Sequence, residues 1–192
     1  MPISRHTTVD TTLGELVLTA ESGATAPEGE ALTSDGEVPT SEDEALTGLY
    51  FPAHWHPPTT EQLGDQVEVA TDPVFSTALE QLEQYLAGER QEFDLPLRTH
   101  GDDFSERVWA LLREIPYGTR TTYGALAEQL GSRGLAQRVG QCVGRNPLSI
   151  VIPCHRVVGA DGSLTGYAGG LDRKRTLLEL EEPAERSAER LF

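Results

Sequence analysis

Pro147 and Pro153 bracket a short apolar stretch ending in Ile150-Val151-Ile152. Proline donates no ladder hydrogen bond, so a strand here is short and stops at Pro153. The next residue is Cys154, one of two cysteines in the chain, with His155 and Arg156 behind it. Gly166-Tyr167-Ala168-Gly169-Gly170 follows shortly after. A β-branched run thus delivers a thiol to a strand end with an imidazole next in sequence. An isolated cysteine is more often an inert buried side chain. Here an adjacent base raises the thiolate fraction that sets nucleophilicity, which makes Cys154 a candidate nucleophile.

The 192 residues suffice for one medium domain or two small ones. No segment approaches the roughly 18 continuous apolar residues of a membrane span. The start, Met1-Pro-Ile-Ser-Arg-His, lacks the apolar core of a secretory signal. A cytoplasmic protein with no membrane contact is expected, and a reactive thiol needs such a reducing compartment. Cys142 and Cys154 make neither a disulfide framework nor a Cys-x-x-Cys site. His54-x-His56 is the one histidine pairing and reads as a loop feature, so no metal is expected.

The net charge of −16 argues against a nucleic-acid partner until it is mapped. Residues 1–100 carry 19 acids and 3 bases, whereas residues 104–175, around the cysteine, carry 10 bases and 5 acids. Phosphate contacts need local cations, not a basic whole protein. Acid enrichment in the first half also fits a plain solubility role.

Residues 7–20 read as two short strands around Leu13-Gly14. Residues 21–45, rich in Glu, Gly, Ser, Thr and Pro, read as a flexible acidic insertion. Leu46–Pro52 resumes a strand, and Pro57–Asp72 is a polar loop. Phe75, Leu79, Leu82 and Leu86 fall at helical spacing over 73–88, and Phe93–Leu97 reads as a strand and linker. A small α+β domain over 1–97 follows, and a second unit over 103–182 is mostly helical. Phe104, Val108, Leu111, Leu112 and Ile115 form its first stripe, capped by Asp103 or Ser105 and stopped at Pro116. Two short helices, 121–131 and 134–145, joined through a Gly-containing turn, resemble a helix-turn-helix. Structural helical hairpins share that pattern, but Arg133, Arg138 and Arg145 on or beside the second helix favour DNA. Asp172–Glu181 makes a last helix with Leu177, Leu178 and Leu180 turned inward, and 183–192 is a polar tail.

The stretch Asn146-Pro-(x)5-Pro-Cys-His-Arg-Val, followed by Gly-Tyr-Ala-Gly-Gly-Leu, resembles the active-site signature of the O6-alkylguanine-DNA alkyltransferases. The resemblance is strong over 103–181 and weak over 1–100. It implies an RNase H-like N-terminal domain ahead of the helix-turn-helix domain. It also implies DNA repair by single-use transfer of an alkyl group from guanine O6 to Cys154, after the base is flipped from the duplex. The partner is then double-stranded DNA containing O6-alkylguanine, bound by a monomer, with O4-alkylthymine repair and cooperativity along DNA left open; no cofactor is implied, since the damaged DNA is itself the alkyl donor.

Such chemistry needs a thiolate, yet a free thiol is only about 3% ionised at pH 7. His155 is the candidate base, although neighbours on a regular strand face opposite ways. Either Pro153 breaks the strand or a water bridges the gap; the resemblance implies the water, with Glu181 orienting the imidazole. It further implies that Tyr123 donates toward guanine N3, and that Asn146 ties the second helix to the cysteine segment. The Val157 carbonyl would meet the guanine amine, Tyr167 would wall the pocket, and the Ala168 N–H would meet O6. Val143 is another apolar pocket position. Gly166, Gly169 and Gly170 would let backbone approach the base. Ala136, Gly140, Thr122 and Arg145 fall on the DNA-contacting elements, and Ser105 matches a phosphate-contacting position that helix capping explains equally well.

One departure stands out. The family usually writes the second helix Ala-Arg-Ala-Val-Gly, its arginine filling the gap left by the flipped base. Here Gln137 holds that position and Arg138 comes one residue later, roughly 100° around the helix. Gln137 is the favoured gap filler, with Arg138 reaching a phosphate or serving instead. The alternative function is a lesion-recognition module without alkyl transfer, and Cys154 argues against it.

Overall fold

The computed structural model describes residues 3–23 and 44–182. Most of the acidic insertion and the tail at 183–192 lie outside the described residues. At the edges of 21–45 the chain is strand: β1 (Ile3–Thr11) and β2 (Gly14–Ser22) form a hairpin, and β3 (Glu44–Tyr50) pairs antiparallel with β2. Ser22 opposes Glu44, so the chain leaves and rejoins the sheet at one point. Alternation sets the inner face of β1, where Arg5, Thr7 and Val9 are buried.

Residues 57–72, expected to be loop, instead hold three short elements. These are α1 (Thr60–Leu63), β4 (Asp65–Gln66) and a 3-10 turn at Val69–Thr71. A Thr59/Gln62 capping box nucleates α1, and β4 pairs parallel with β1, giving the order β3-β2-β1-β4. Helix α2 (Pro73–Leu86) packs on this sheet. Its N-cap, Asp72, accepts from Val74 and Phe75 and also pairs with Arg5 of β1. The buried stripe is Phe75, Ala78, Leu82 and Tyr85, one step away from the expected Leu79 and Leu86, which are half-buried.

Residues 93–97 form no strand. Leu97 makes a single parallel bridge to Leu46, and Leu148 makes another to Leu49. Both segments lie along the free edge of β3 and cover it. The second bridge, with Leu49 N–H to Pro147 O at 2.8 Å, fastens the cysteine segment to the sheet.

Helix α3 (Asp103–Arg113) is capped by Asp102, not by Asp103 or Ser105, because the Asp102 carboxylate accepts from Ser105 N–H at 2.7 Å. Trp109 joins its buried face, with the indole N–H bound to Cys142 O at 2.9 Å. Thr121 and Thr122 are not helical: they form β5, parallel to β6 (Val157–Val158). Helix α4 (Tyr123–Gln129) is capped by Thr122 and ends before Gly131, whose φ of +110 only glycine adopts easily. A 3-10 turn at Arg133–Leu135 leads into α5 (Ala136–Gly144), completing the helix-turn-helix. The last helix is α6 (Leu171–Leu180). The fold is α+β, with an N-terminal sheet layer and a helical C-terminal part.

Candidate active site

Cys154 does not end a strand. Residues 149–151 turn instead, Ile150 adopts φ +71, and Cys154 opens a 3-10 turn, Cys154–Arg156, that leads into β6. A β-branched residue at positive φ is strained and needs its surroundings to hold it. Asn146 does so: its amide donates to Ile152 O at 2.8 Å, and its carbonyl accepts from Leu148 N–H at 3.0 Å. The tightly wound backbone resolves the strand-geometry objection, since a 3-10 turn places neighbours about 120° apart rather than on opposite faces.

Cys154 and His155 are buried, and so is Glu181, just past the end of α6. His155 Nε2 lies 3.0 Å from Glu181 Oε1. With Nε2 donating to the carboxylate, Nδ1 is a bare acceptor; it is buried and has no protein partner among the described residues. Burial opposes ionisation of Glu181, but the bonds from His155 and Arg156, joined by Tyr85, outweigh it and hold the carboxyl at about 2. Burial lowers the His155 pKa, so the imidazole rests neutral and able to accept a proton. Burial also pushes the Cys154 thiol up rather than down, while Asn146 and the Lys174 ammonium favour the thiolate. The resting site therefore favours a protonated thiol and a neutral imidazole.

Tyr123 starts α4, and its hydroxyl donates to Thr165 O at 3.3 Å. With Trp55, Ala136, Gly140, Gly144, Thr165 and Gly166 it lines a cavity of about 360 Å³. Val143, Val157 and Tyr167 are buried, Ala168 is half-buried, and the Tyr167 hydroxyl has no protein partner among the described residues. The Val157 carbonyl accepts from Lys174 Nζ at 2.6 Å. The glycines also have reasons within the fold itself. A Cβ on Gly169 would sit 2.4 Å from the Phe51 ring, whereas Gly170 has open space but φ +88. Gly166 has φ +32 and faces Trp55.

On α5, Gln137 and Arg138 are exposed, as are Arg133 just before it and Arg145, its C-cap. Arg138 is turned toward α3, its guanidinium 3.8 Å from the centre of the Phe104 ring. Ser105 is not presented to solvent: it is buried, and its hydroxyl donates to Cys142 Sγ at 3.4 Å. A phosphate-contacting role for that hydroxyl does not fit this placement. Thr122 is half-buried and occupied as the α4 cap. His54 turns its Nδ1 onto the backbone of His56, the loop feature expected of that pair.

Two family models match the chain. The 6-O-methylguanine DNA methyltransferase DNA binding domain covers residues 103–183, and its ribonuclease-like domain covers residues 40–99. The chain belongs to the 6-O-methylguanine DNA methyltransferase family. It is 42% identical to a methylated-DNA–protein-cysteine methyltransferase of Mycobacterium tuberculosis over 178 residues, 92% of each chain. The Mycobacterium leprae protein of the same name is 44% identical over 149 residues, 74% of this chain and 90% of its own. A crystal structure of the Mycobacterium tuberculosis protein in complex with DNA superposes with a TM-score of 0.71 at 41% identity, covering 93% of this chain and 92% of that one.

Two residues of this methyltransferase-family site escaped the sequence reading. Lys174 is fully buried, donating to Val157 O and to Thr165 O at 2.7 Å. Burial lowers its pKa to about 8, with the Cys154 charge opposing. Its position three and four residues before Leu177 and Leu178, on the apolar face of α6, was the available signal. Tyr85 of α2 reaches Glu181 from the N-terminal sheet layer. A tyrosine on a buried helix stripe needs a hydroxyl partner, and that was its signal.

Proposed function

We propose that this chain repairs duplex DNA by moving the alkyl group of O6-alkylguanine onto Cys154 Sγ, once per molecule. The observation that carries it is the burial of Cys154, His155 and Glu181 together, with His155 Nε2 bound to Glu181 and its Nδ1 without a protein partner among the described residues. The Cys154 proton passes to His155 Nδ1, directly or through one water, and Glu181 stabilises the imidazolium. The S–C bond forms as the C–O6 bond breaks, and the guanine leaves as an anion that takes up a proton. Tyr123, which lines the cavity, donates toward that leaving base. Asn146 holds the turn that presents the thiol. Val143, Val157, Tyr167, Ala168 and Gly169 frame the base. A thioether is no leaving group for water, so the product is permanent.

The DNA-facing surface is α5 with its flanks: Ala136, Gln137, Gly140, Arg138 and Arg145, with Thr122 on the neighbouring helix start. The stacking of Arg138 on Phe104 supports Gln137, rather than Arg138, as the residue that fills the flipped-base gap. The reading includes a monomer, a cytoplasmic location, and a domain junction within 98–102. No helix among the described residues is long and apolar enough to cross a membrane.

The test is intact-protein mass after mixing with excess duplex carrying one O6-methylguanine, with Cys154→Ser alongside. A gain of one methyl (~14 Da) on Cys154, absent in the variant, is the expected result. Tight lesion-selective binding with no mass change would make this a recognition module.

A further inference from the structure

Glu181 accepts more hydrogen bonds than its placement requires. Oε2 accepts from Arg156 Nε at 2.9 Å and from Gly118 N–H at 3.2 Å, and these two fix the carboxylate. Oε1, the oxygen facing His155, also takes an Arg156 nitrogen at 2.7 Å and the Tyr85 hydroxyl at 2.5 Å. The same hydroxyl oxygen lies 3.3 Å from His155 Nε2. Tyr85 is fully buried and comes from α2, 96 residues upstream, so this bond joins the N-terminal layer to the reacting pair. A hydroxyl donating to a carboxylate draws charge from the oxygen that must also support His155. We propose that Tyr85 is a positioning residue that moderates the Glu181–His155 bond and thereby sets how readily His155 takes the Cys154 proton. The proposal rests on the reading of His155 as the base for Cys154.

The other groups facing this pair are Arg156 on the 3-10 turn, Lys174 on α6 and Tyr117 after α3, while Tyr167 before α6 faces Cys154 and Tyr85. None of them depends on the Tyr85 hydroxyl for its place, so a Tyr85→Phe change isolates that one donor. Without it, Oε1 carries more charge, the imidazolium is favoured, and the thiol loses its proton at lower pH.

The experiment follows the rate of Cys154 alkylation by iodoacetamide against pH in the full chain, with Cys154→Ser correcting for Cys142. In Tyr85→Phe the midpoint of the profile moves to lower pH, and a midpoint lower by one pH unit means about tenfold faster alkylation on the acid side. A fluorinated tyrosine placed at 85 keeps the shape but donates more strongly, and moves the midpoint upward. It tests the idea even if the phenylalanine variant folds poorly. A purely structural role would slow alkylation at every pH with the midpoint fixed. That result, or midpoints that move the same way in both variants, overturns the proposal. Methyl transfer from lesion duplex by the unaltered chain, measured in parallel, separates the two claims: its absence sinks the repair reading and leaves the midpoints to decide Tyr85.

Discussion

Two buried ionic clusters sit at opposite ends of α2, and they differ in one respect. At its start, Arg5 pairs with Asp72 and Glu44 and donates to Ser22 at 3.0 Å, while Asp72 also accepts from Val74 and Phe75. Neither Arg5 nor Asp72 has a buried polar atom without a partner. Near the end of α2, Tyr85, His155, Arg156 and Glu181 form a second cluster, and there His155 Nδ1 and the nearby Tyr167 hydroxyl lack protein partners among the described residues. An orphaned buried polar group costs free energy, so it persists where something else requires it. The saturated cluster is a joint between strand and helix. The unsaturated one adjoins the cysteine segment, and in the proposed reading its His155 Nδ1 is the acceptor that takes the thiol proton.

Two variants can break that distinction, and a third sharpens it by leaving both clusters alone. The largest effect is expected from His155→Ala, which removes the base while Arg156 and Gly118 still hold Glu181. Methyl transfer should fall roughly a hundredfold to ten-thousandfold, read by single-turnover mass spectrometry. A loss below tenfold would mean that the orphaned nitrogen is not used. Asp72→Ala attacks the joint instead. Leaving Arg5 buried with a weaker partner should cost about 3–5 kcal/mol in urea unfolding, with transfer per folded molecule unchanged. A slowed reaction at unchanged stability would erase the contrast between the clusters. Smallest is Gln137→Arg, which touches neither cluster. It should tighten lesion-duplex binding and steepen the log–log salt dependence by about 0.9, leaving iodoacetamide reactivity as it was. An unchanged salt slope would take Gln137 off the DNA-facing surface.

Much of the N-terminal layer was legible because strands and helices advertise themselves by period. The hairpin followed from alternation over 7–20, and α2 from its apolar spacing. The stripe of α2 was misplaced by one step because Leu79 and Leu86 are apolar but half-buried, whereas Ala78 and Tyr85 face the sheet. The elements within 57–72 were missed because each is too short to show a period. Asp102 displaced Asp103 and Ser105 as cap, since these neighbouring residues all carry capping side chains and only backbone geometry chooses among them.

At the site, sequence by itself determined the chemistry. Pro-Cys-His-Arg, the Asn-Pro ahead of it and the Gly-Tyr-Ala-Gly-Gly behind it are local, and local order is what a sequence displays. Tertiary structure decided the partners. Tyr85, Lys174 and Glu181 meet the cysteine segment only through packing of α2 and α6, over separations that no spacing rule encodes. Gly169 is a glycine because Phe51 of the sheet layer fills its side-chain space, and Ser105 turned inward because Cys142 lies behind α3. The reason is physical: a motif specifies which groups react, but burial and hydrogen-bond saturation are properties of the whole core.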